Sequence, residues 1–319
     1  MSSLSVVVVG TGGVGGFFGA KLARAGHAVT FVARGPHLEA IRRDGLRIRS
    51  AVEGDFTVAA RAVERLDGAP PADLVLLTVK SYDTDAALAA MRPVVGPATA
   101  VLSLQNGVES VERIDAALGA GHALGGAAYV FASIERPGVI VHRFAGRIVF
   151  GEPDGRITPR AGRVRDAFAA AGVPVELSAE IGRVLWEKYL FICAQSALTA
   201  VTRCPTGVVR AVPETWSLYR TILEELAAVA GAAGVKLAPG AVDAIMAAAA
   251  GLAPETTSSL AFDLASGKRL ELEGLHGHAV RLARRLGVAA PSLAAVYAAL
   301  KPWADGPPAP VTATPAARS

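Results

Sequence analysis

The chain of 319 residues is predicted to be an α/β protein whose second half is entirely helical. In residues 1–177, short apolar runs alternate with segments of helical spacing, which is typical of parallel strands joined by helical crossovers. In residues 178–300, almost every segment has helical spacing and ends near proline or glycine. We therefore expect two domains, over residues 1–177 and 178–300. Residues 301–319 are rich in proline and alanine, and we expect a disordered tail there.

Each predicted element corresponds to one such segment. The predicted strands of the first domain are Ser5–Val9, Ala28–Ala33, Asp73–Val79, Ala98–Leu104, Val139–Val141 and Arg147–Gly151. The predicted helices between them are Gly15–Ala25, Thr84–Met91 and Val108–Leu118. The predicted helices of the second domain are Gly182–Thr202, Thr215–Ala233, Ala241–Ala250, Ser258–Ser266, Leu270–Leu286 and Ser292–Leu300.

The composition argues against several classes of protein. Hydrophobic residues make up 52% of the chain, but the longest apolar candidate, Ala244–Ala253, is shorter than the roughly 20 residues that a membrane span needs. The net charge of +4 comes mostly from scattered arginines, and aromatic residues are only 6%, which argues against nucleic-acid binding. Cys193 and Cys204 have no metal-binding spacing. We therefore expect a cytoplasmic protein with reduced thiols, no membrane segment and no metal site.

A glycine-rich loop follows the first predicted strand. Gly10, Gly12 and Gly15 fit the G-x-G-x-x-G pattern between a strand and a helix, with Gly10 for a tight turn, Gly12 for close approach of a pyrophosphate and Gly15 for helix packing. Thr11, Gly13 and Val14 complete the predicted cofactor contacts. The loop predicts a Rossmann-type dinucleotide-binding domain, ahead of a purely structural turn or a methyltransferase loop.

The residue after the second predicted strand indicates which dinucleotide binds. Sites selective for NAD usually place a carboxylate there to hold the ribose 2′-hydroxyl. This chain has Arg34, and the first carboxylate after it is Glu39. Because a guanidinium suits a 2′-phosphate, we favour NADP (NADPH) over NAD. The alternative is an ordinary surface arginine.

Further short motifs follow in a characteristic order. They are Thr78-Val-Lys80, Ser103-Leu-Gln105-Asn106-Gly107, Trp186-Glu-Lys188, Thr257-Ser258-Ser259-Leu260, and Glu271 at twelve residues after Ser259. From about Ser5 to Leu300 the chain resembles the ketopantoate reductase (2-dehydropantoate 2-reductase) family. The resemblance implies NADPH-dependent reduction of a 2-oxo acid on the route to pantothenate.

The resemblance also implies roles for individual residues. It makes Lys188 the general acid, places Asn106, Ser259 and Glu271 at the substrate, and places Lys80 near cofactor and substrate, with Asn106 near the cofactor as well. The residues alone support this in part. Lys188 lies in a predicted helix that is apolar nearly all round, so we expect it to be partly buried; the alternative is an amine that reaches out to water.

One departure from the family concerns the substrate. The family usually has asparagines four and eight residues after the catalytic lysine, and this chain has Ile192 and Ser196 there. Ser196, and Gln195 beside it, remain candidate substrate contacts. Because a site that hydrogen-bonds its substrate discriminates strongly, a bulkier or less polar 2-oxo acid or ketone is the alternative substrate, as for a D-2-hydroxyacid dehydrogenase. A non-catalytic NADP-binding regulator is a further alternative, and the alanine-rich helices suggest a homodimer.

Overall fold

The computed structural model describes residues 3–308, which form two compact units. They divide between Tyr189 and Leu190, so the predicted boundary after Leu177 falls inside the first unit. The reason is a long helix, Ile181–Thr202, whose first residues pack on the sheet of the first unit. We refer to the two parts as the sheet unit and the helical unit.

The sheet unit is built on one ten-stranded sheet. Its strands are β1 (Ser5–Val9), β2 (Ala28–Val32), β3 (Leu46–Ser50), β4 (Phe56–Val58), β5 (Arg61–Val63), β6 (Leu74–Leu77), β7 (Ala100–Ser103), β8 (Ala123–Arg136), β9 (Val139–Gly151) and β10 (Val175–Leu177). The order is β4-β3-β9-β8-β7-β6-β1-β2-β5, with β10 paired to β9. Among the strand pairs within residues 3–308, only β3–β4 and β8–β9 are antiparallel. The sheet has more strands than the sequence predicted. The strands β3, β4, β5 and β10 are short and partly polar, and β8 begins with glycine and alanine, which are uncommon in strands.

Helices cover the sheet. They are α1 (Gly13–Arg24), α2 (Gly35–Asp44), α3 (Thr84–Met91), α4 (Ser110–Leu118), α5 (Pro159–Ala170) and the long helix α6 (Ile181–Thr202). The apolar run of β1 divides between two cores. Val6 and Val8 pack with one cluster, and Val7 and Val9 pack with the other, since successive side chains of a strand point to opposite faces. The continuous apolar pattern therefore reflects a strand covered on both sides.

The strands β8 and β9 form a long hairpin, of which the sequence predicted only the two ends of β9 and no part of β8. The predicted strands Val139–Val141 and Arg147–Gly151 are the two ends of the single strand β9. Between them the register shifts near Ala145 and Gly146, whose φ angles are +61° and +130°. A β-bulge of this kind breaks the period-2 pattern, which is why the continuous strand was not predicted.

The helical unit begins within α6. It continues with α7 (Thr206–Ala211), α8 (Pro213–Ala232), α9 (Ala241–Ala250), α10 (Ser259–Ala265), α11 (His278–Leu286) and α12 (Pro291–Leu300). A π-helical turn, Glu273–Gly277, directly precedes α11, so the predicted helix Leu270–Leu286 is shorter and irregular at its start. No helix within residues 3–308 is long and apolar enough to cross a membrane.

The predicted disordered tail is wrong at its start. Lys301–Trp303 forms a 3₁₀ turn, Lys301 pairs with Glu273, and the Leu270 N–H donates to the Ala304 carbonyl at 2.8 Å. These long-range contacts order residues for which the local sequence predicts no structure. Residues 309–319 of the predicted tail lie outside the described residues.

Candidate active site

The carboxyl ends of four neighbouring strands carry the predicted cofactor residues. Val9 of β1 lies beside Val32 of β2 on one side and Leu77 of β6 on the other, and Leu77 lies beside Ser103 of β7. The chain runs from β1 to β2 on one side and later returns to β6 on the other. Ligands of α/β sheets bind at such a switch point, outside the carboxyl ends of the strands.

The glycine-rich loop follows β1, and three of its glycines are required by the chain's own packing. Gly10 has φ of +102°. A Cβ on Gly15 would stand 2.3 Å from the Gly10 carbonyl oxygen and from Thr78 Oγ1, and one on Gly13 would stand 2.0 Å from the Ala132 carbonyl oxygen. A side chain at any of these positions would therefore displace backbone or a neighbouring strand.

Gly12 is different. A Cβ on Gly12 would meet nothing within 4 Å, and its φ of −83° is one that other residues adopt. The next residues open α1, which has neither a side-chain cap nor an acidic residue in its first turn among the described residues. Uncapped N–H groups at a helix start favour an anion. The open space at Gly12 and this helix start fit the pyrophosphate of a dinucleotide.

Arg34 lies at the expected place. It is two residues beyond β2, directly before α2, and it is exposed. Its guanidinium has no hydrogen-bond or ion-pair partner within residues 3–308. The side chain therefore stands at the carboxyl end of β2 with its donors available, as a 2′-phosphate ligand requires.

Lys80 and Asn106 follow β6 and β7, and both are half-buried. Gln105, which sequence reasoning did not include among the site residues, connects the two loops. Its amide nitrogen donates to the Val79 carbonyl at 2.9 Å and to Thr84 Oγ1 at 2.8 Å. The side chain of Gln105 thus fixes the backbone next to Lys80 and next to Asn106. We call Gly10–Gly15, Arg34, Lys80 and Asn106 the loop edge.

Lys188 lies in the part of α6 that belongs to the sheet unit, and it is half-buried as expected. Its Nζ is 5.6 Å from the centroid of the Tyr129 ring on β8. The preceding turn of α6 packs through Ile181 and Leu185 in a cluster that also includes Val108. The start of α6 is therefore held beside both β8 and the segment that follows Asn106.

An aromatic face, made of Tyr129, Phe131 and Phe144, lies on the hairpin near Lys188. The rings of Phe131 and Phe144 stack at 5.5 Å with 7° between their planes, and Phe144 is 56% exposed. Arg143 and Arg147 lie over the Phe131 and Tyr129 rings, respectively. Exposed aromatic rings beside cations offer a surface for an apolar or aromatic anion.

The remaining predicted substrate residues lie in the helical unit. Ser259 is exposed at the start of α10, which Ser258 caps by accepting from the Ala261 N–H at 3.0 Å. Thr199 of α6 forms a hydrogen bond to Ser258 at 2.8 Å. Glu271 is buried two residues before the π-helical turn. Ser259 and Glu271 remain predicted substrate contacts.

Gln195 and Ser196 have partners inside the helical unit. The Gln195 amide nitrogen donates to Thr206 Oγ1 at 2.5 Å, and Ser196 Oγ lies 3.3 Å from the Cys193 carbonyl and 3.4 Å from His276 Nε2. We call Gln195, Ser196, Thr206 and His276 the buried polar cluster. Direct contact of Gln195 and Ser196 with substrate remains a prediction, and in the structure both side chains form hydrogen bonds inside the helical unit.

His276 is the centre of this cluster. It is fully buried, its Nε2 donates to the Cys193 carbonyl at 3.0 Å, and its Nδ1 has no partner within the described residues. Burial disfavours the imidazolium and lowers the pKa of His276 to about 4. His276 is therefore neutral near pH 7.

Comparisons with known proteins give the family. The family model "Ketopantoate reductase PanE/ApbA" matches residues 6–155, and its carboxy-terminal counterpart matches residues 180–304. The 2-dehydropantoate 2-reductase of Archaeoglobus fulgidus is 31% identical, over 89% of this chain and 92% of its own length. The chain belongs to the ketopantoate reductase family. It is therefore a member of a family of dinucleotide-binding oxidoreductases, as the sequence motifs predicted.

The other relatives support the fold. The crystal structure of a PanE/ApbA family ketopantoate reductase from Ralstonia eutropha JMP134 has a TM-score of 0.86 and 37% identity, covering 93% of this chain and 97% of that one. This confirms the predicted Rossmann-like domain followed by a helical domain. An uncharacterized oxidoreductase of Bacillus subtilis, YkpB, is 29% identical over 93% of this chain and 98% of its own length. D-mandelate dehydrogenase with NADH and anilino(oxo)acetate shares the fold at a TM-score of 0.86, with 19% identity, 93% of this chain and 97% of that chain covered.

Within residues 3–308, no group of three or more histidine, cysteine, aspartate or glutamate side chains could hold a metal ion. Cys193 and Cys204 form no disulfide within the same residues.

Proposed function

We propose that this protein reduces a 2-oxo acid to the 2-hydroxy acid with NADPH, with 2-dehydropantoate as the first substrate to test. The observation that carries the proposal is that one strand, β8, reaches both Lys188 and the glycine-rich loop. Lys188 Nζ lies 5.6 Å from the Tyr129 ring of β8, and the backbone of the same strand, three residues later, packs at Ala132 against Gly13. Lys188 and the loop are therefore both anchored on the sheet unit.

The loop edge supplies the residues that would hold the cofactor. The uncapped start of α1 would receive the pyrophosphate, with Gly12 leaving the space. Arg34 would bind the 2′-phosphate, and Lys80 and Asn106 would face the nicotinamide half. When bound, NADPH supplies a hydride to the carbonyl carbon of the substrate.

Side chains of the protein would bind the substrate and supply the proton for its reduction. Lys188 would donate a proton to the carbonyl oxygen of the substrate, as a general acid. Asn106, Ser259 and Glu271 would bind the polar groups of the substrate, in keeping with the family resemblance. Gln105 would keep the loops of Lys80 and Asn106 in place through its bonds to Val79 and Thr84.

A second substrate class is favoured by the aromatic face. Tyr129, which contacts Lys188, shares its face of β8 with Phe131 because side chains of a strand alternate, and Phe131 stacks on Phe144. Ile192 adds an apolar side chain one helical turn after Lys188. These residues favour a 2-oxo acid with a branched or aryl substituent, as in a D-2-hydroxyacid dehydrogenase.

The test is a substrate panel combined with substitution of Lys188. Ketopantoate, branched 2-oxo acids and aryl 2-oxo acids are compared by NADPH oxidation, with the wild type, Lys188→Ala and Lys188→Arg. We expect both variants to lower kcat by 10²- to 10⁴-fold, the usual contribution of general acid catalysis, because arginine keeps the charge but does not release the proton. Lys236→Ala, at an exposed loop position, is the control.

Three results would contradict this proposal in different ways. A loss of less than tenfold in Lys188→Ala, with NADPH binding intact, would remove Lys188 from catalysis. A preference for aryl acids over ketopantoate would select the second substrate class. NADPH binding without turnover of any acid would instead support an NADP-binding regulator. A cytoplasmic location, a place in pantothenate synthesis and a homodimer remain predictions.

A further inference from the structure

His37 of α2 connects three segments of the sheet unit. Its Nε2 lies 2.8 Å from the carbonyl oxygen of Thr11 in the glycine-rich loop. Its Nδ1 accepts a hydrogen bond from the N–H of Gly138 at 3.0 Å, in the turn between β8 and β9. An accepting Nδ1 carries no proton, so Nε2 carries it and donates to Thr11. The two contacts therefore define one neutral tautomer.

The bond to Thr11 fixes the orientation of a single peptide group. The carbonyl of the Thr11–Gly12 peptide accepts from His37, and the N–H of the same peptide donates to the Gly10 carbonyl at 2.8 Å. Thr11 is also held through its N–H and its hydroxyl, which both donate to the Val32 carbonyl, at 3.2 and 2.8 Å. The peptide that leads into α1 is thus held at both of its polar atoms.

Packing around the Gly12 Cα adds little to this restraint. A Cβ on Gly12 would meet nothing within 4 Å, so the orientation of this peptide depends on its hydrogen bonds. Rotation would redirect the N–H groups at the start of α1, which are the groups that meet a pyrophosphate. The hydrogen bond from His37 therefore supplies an orientation that the glycines themselves do not.

The second contact of His37 extends the same restraint to the hairpin. Gly138 has φ of +77°, and its carbonyl accepts from the Arg47 N–H at 3.0 Å. The hairpin in turn places the Ala132 carbonyl against Gly13. His37 thus links the two sides of the loop, the one before Gly12 and the one after it.

We propose that His37 is a positioning residue for the dinucleotide: by holding the Thr11–Gly12 peptide, it keeps the start of α1 aimed at the pyrophosphate without touching the ligand. The proposal rests on the dinucleotide site of the proposed function. It assigns to His37 an effect on affinity for any ligand with an adenosine pyrophosphate group, independent of the 2′-phosphate and of hydride transfer.

Two substitutions separate the two hydrogen bonds. In His37→Gln the amide nitrogen takes the place of Nε2 and retains a donor for Thr11, whereas in His37→Asn the amide oxygen takes the place of Nδ1 and retains only the acceptor for Gly138. Dissociation constants for ADP-ribose and NADPH are measured by calorimetry, and thermal midpoints are measured without ligand. We expect H37N to bind both ligands at least tenfold more weakly, in keeping with an unpaired polar group, and H37Q to stay within about threefold of the wild type. The kcat at saturating NADPH should change little in either variant.

The outcomes are distinct. Lower thermal midpoints with unchanged dissociation constants would overturn the proposal in favour of a structural role alone, and so would equal losses of affinity in H37N and H37Q. Wild-type protein that binds neither ADP-ribose nor NADPH would instead refute the dinucleotide site. As a measurement that needs no variant, nitrogen-15 NMR of histidine-labelled wild type should show the Nε2–H tautomer at His37 with ADP-ribose bound, and the Nδ1–H tautomer would overturn the proposal.

Discussion

The loop edge of the sheet unit and the buried polar cluster of the helical unit use their polar groups in opposite ways. At the loop edge, the start of α1 is uncapped and the guanidinium of Arg34 is exposed without a partner in the described chain. In the buried polar cluster, Gln195 donates to Thr206, and Ser196 and His276 share the Cys193 carbonyl. Gln195 and Ser196 therefore form hydrogen bonds to the chain itself, whereas the guanidinium of Arg34 forms none within residues 3–308.

The largest effect should come from the glycines of the loop edge. Gly15→Ala places a Cβ 2.3 Å from the Gly10 carbonyl oxygen, and overpacking of this kind costs about 1–3 kcal/mol or more. We expect a thermal midpoint lower by several degrees. Gly12→Ala meets nothing within 4 Å, so its midpoint should stay within about 2 °C while NADPH binds at least tenfold more weakly, because the methyl group enters the ligand's space.

Thermal unfolding and calorimetric titration of the two variants measure both effects. Equal NADPH affinity in Gly12→Ala and the wild type would show that the loop edge does not receive a pyrophosphate there. Equal thermal midpoints in Gly12→Ala and Gly15→Ala would contradict the packing difference between the two glycines.

The next largest effect concerns pH and the buried polar cluster. The unfolded chain protonates His276 near pH 6.5, whereas in the folded protein its pKa is lowered to about 4 by burial. The neutral side chain thus stabilises the folded state fully above pH 6.5, and this contribution is lost as the pH falls toward 4. It amounts to about 3 kcal/mol.

Urea unfolding of the wild type and His276→Gln at pH 7, 6 and 5 tests this expectation. The glutamine does not titrate and keeps a donor for the Cys193 carbonyl, so the variant should lose less stability on acidification. His278→Gln, two residues further along, is the control and should follow the wild type. Parallel pH curves for the wild type and His276→Gln would show that the histidine does not govern acid stability.

The smallest effect should come from substitution of Arg34, and it should be a change in the preference for NADPH over NADH. Hydrogen bonds to charged groups contribute about 1.5–3 kcal/mol, so Arg34→Ala should raise the KM for NADPH by about tenfold or more. The KM for NADH, which has no 2′-phosphate, should change less than threefold. Arg165→Ala, an exposed arginine of α5, controls for lost surface charge, and equal changes for both cofactors would remove Arg34 from the 2′-phosphate site.

The sequence predicted the parts of the molecule that are determined locally. Strand β1, the turn at Gly10 and the start of α1 follow directly from apolar spacing and glycine geometry, and Arg34 follows from its place after β2. The family motifs led to Lys188 and Asn106. In each case the property that matters is a feature of a few consecutive residues.

What was not predicted depends on partners distant in the chain. Gln195 looks available on a helical face, but Thr206 accepts its amide hydrogen. His37 lies 26 and 101 residues from its partners Thr11 and Gly138, and no spacing rule reveals such a contact. The ordered residues at 301–308 and the bulge in β9 likewise depend on tertiary contacts.

The division of β1 between two cores has a consequence for local unfolding. Val6 and Val8 belong to one cluster and Val7 and Val9 to the other, so neither layer of the sheet unit separates from the sheet without disturbing the same five-residue strand. Segments that open independently have few buried contacts. Strand β1, by contrast, has buried contacts on both of its faces. The glycine-rich loop, which has few side chains of its own, therefore follows a strand that is held by both cores.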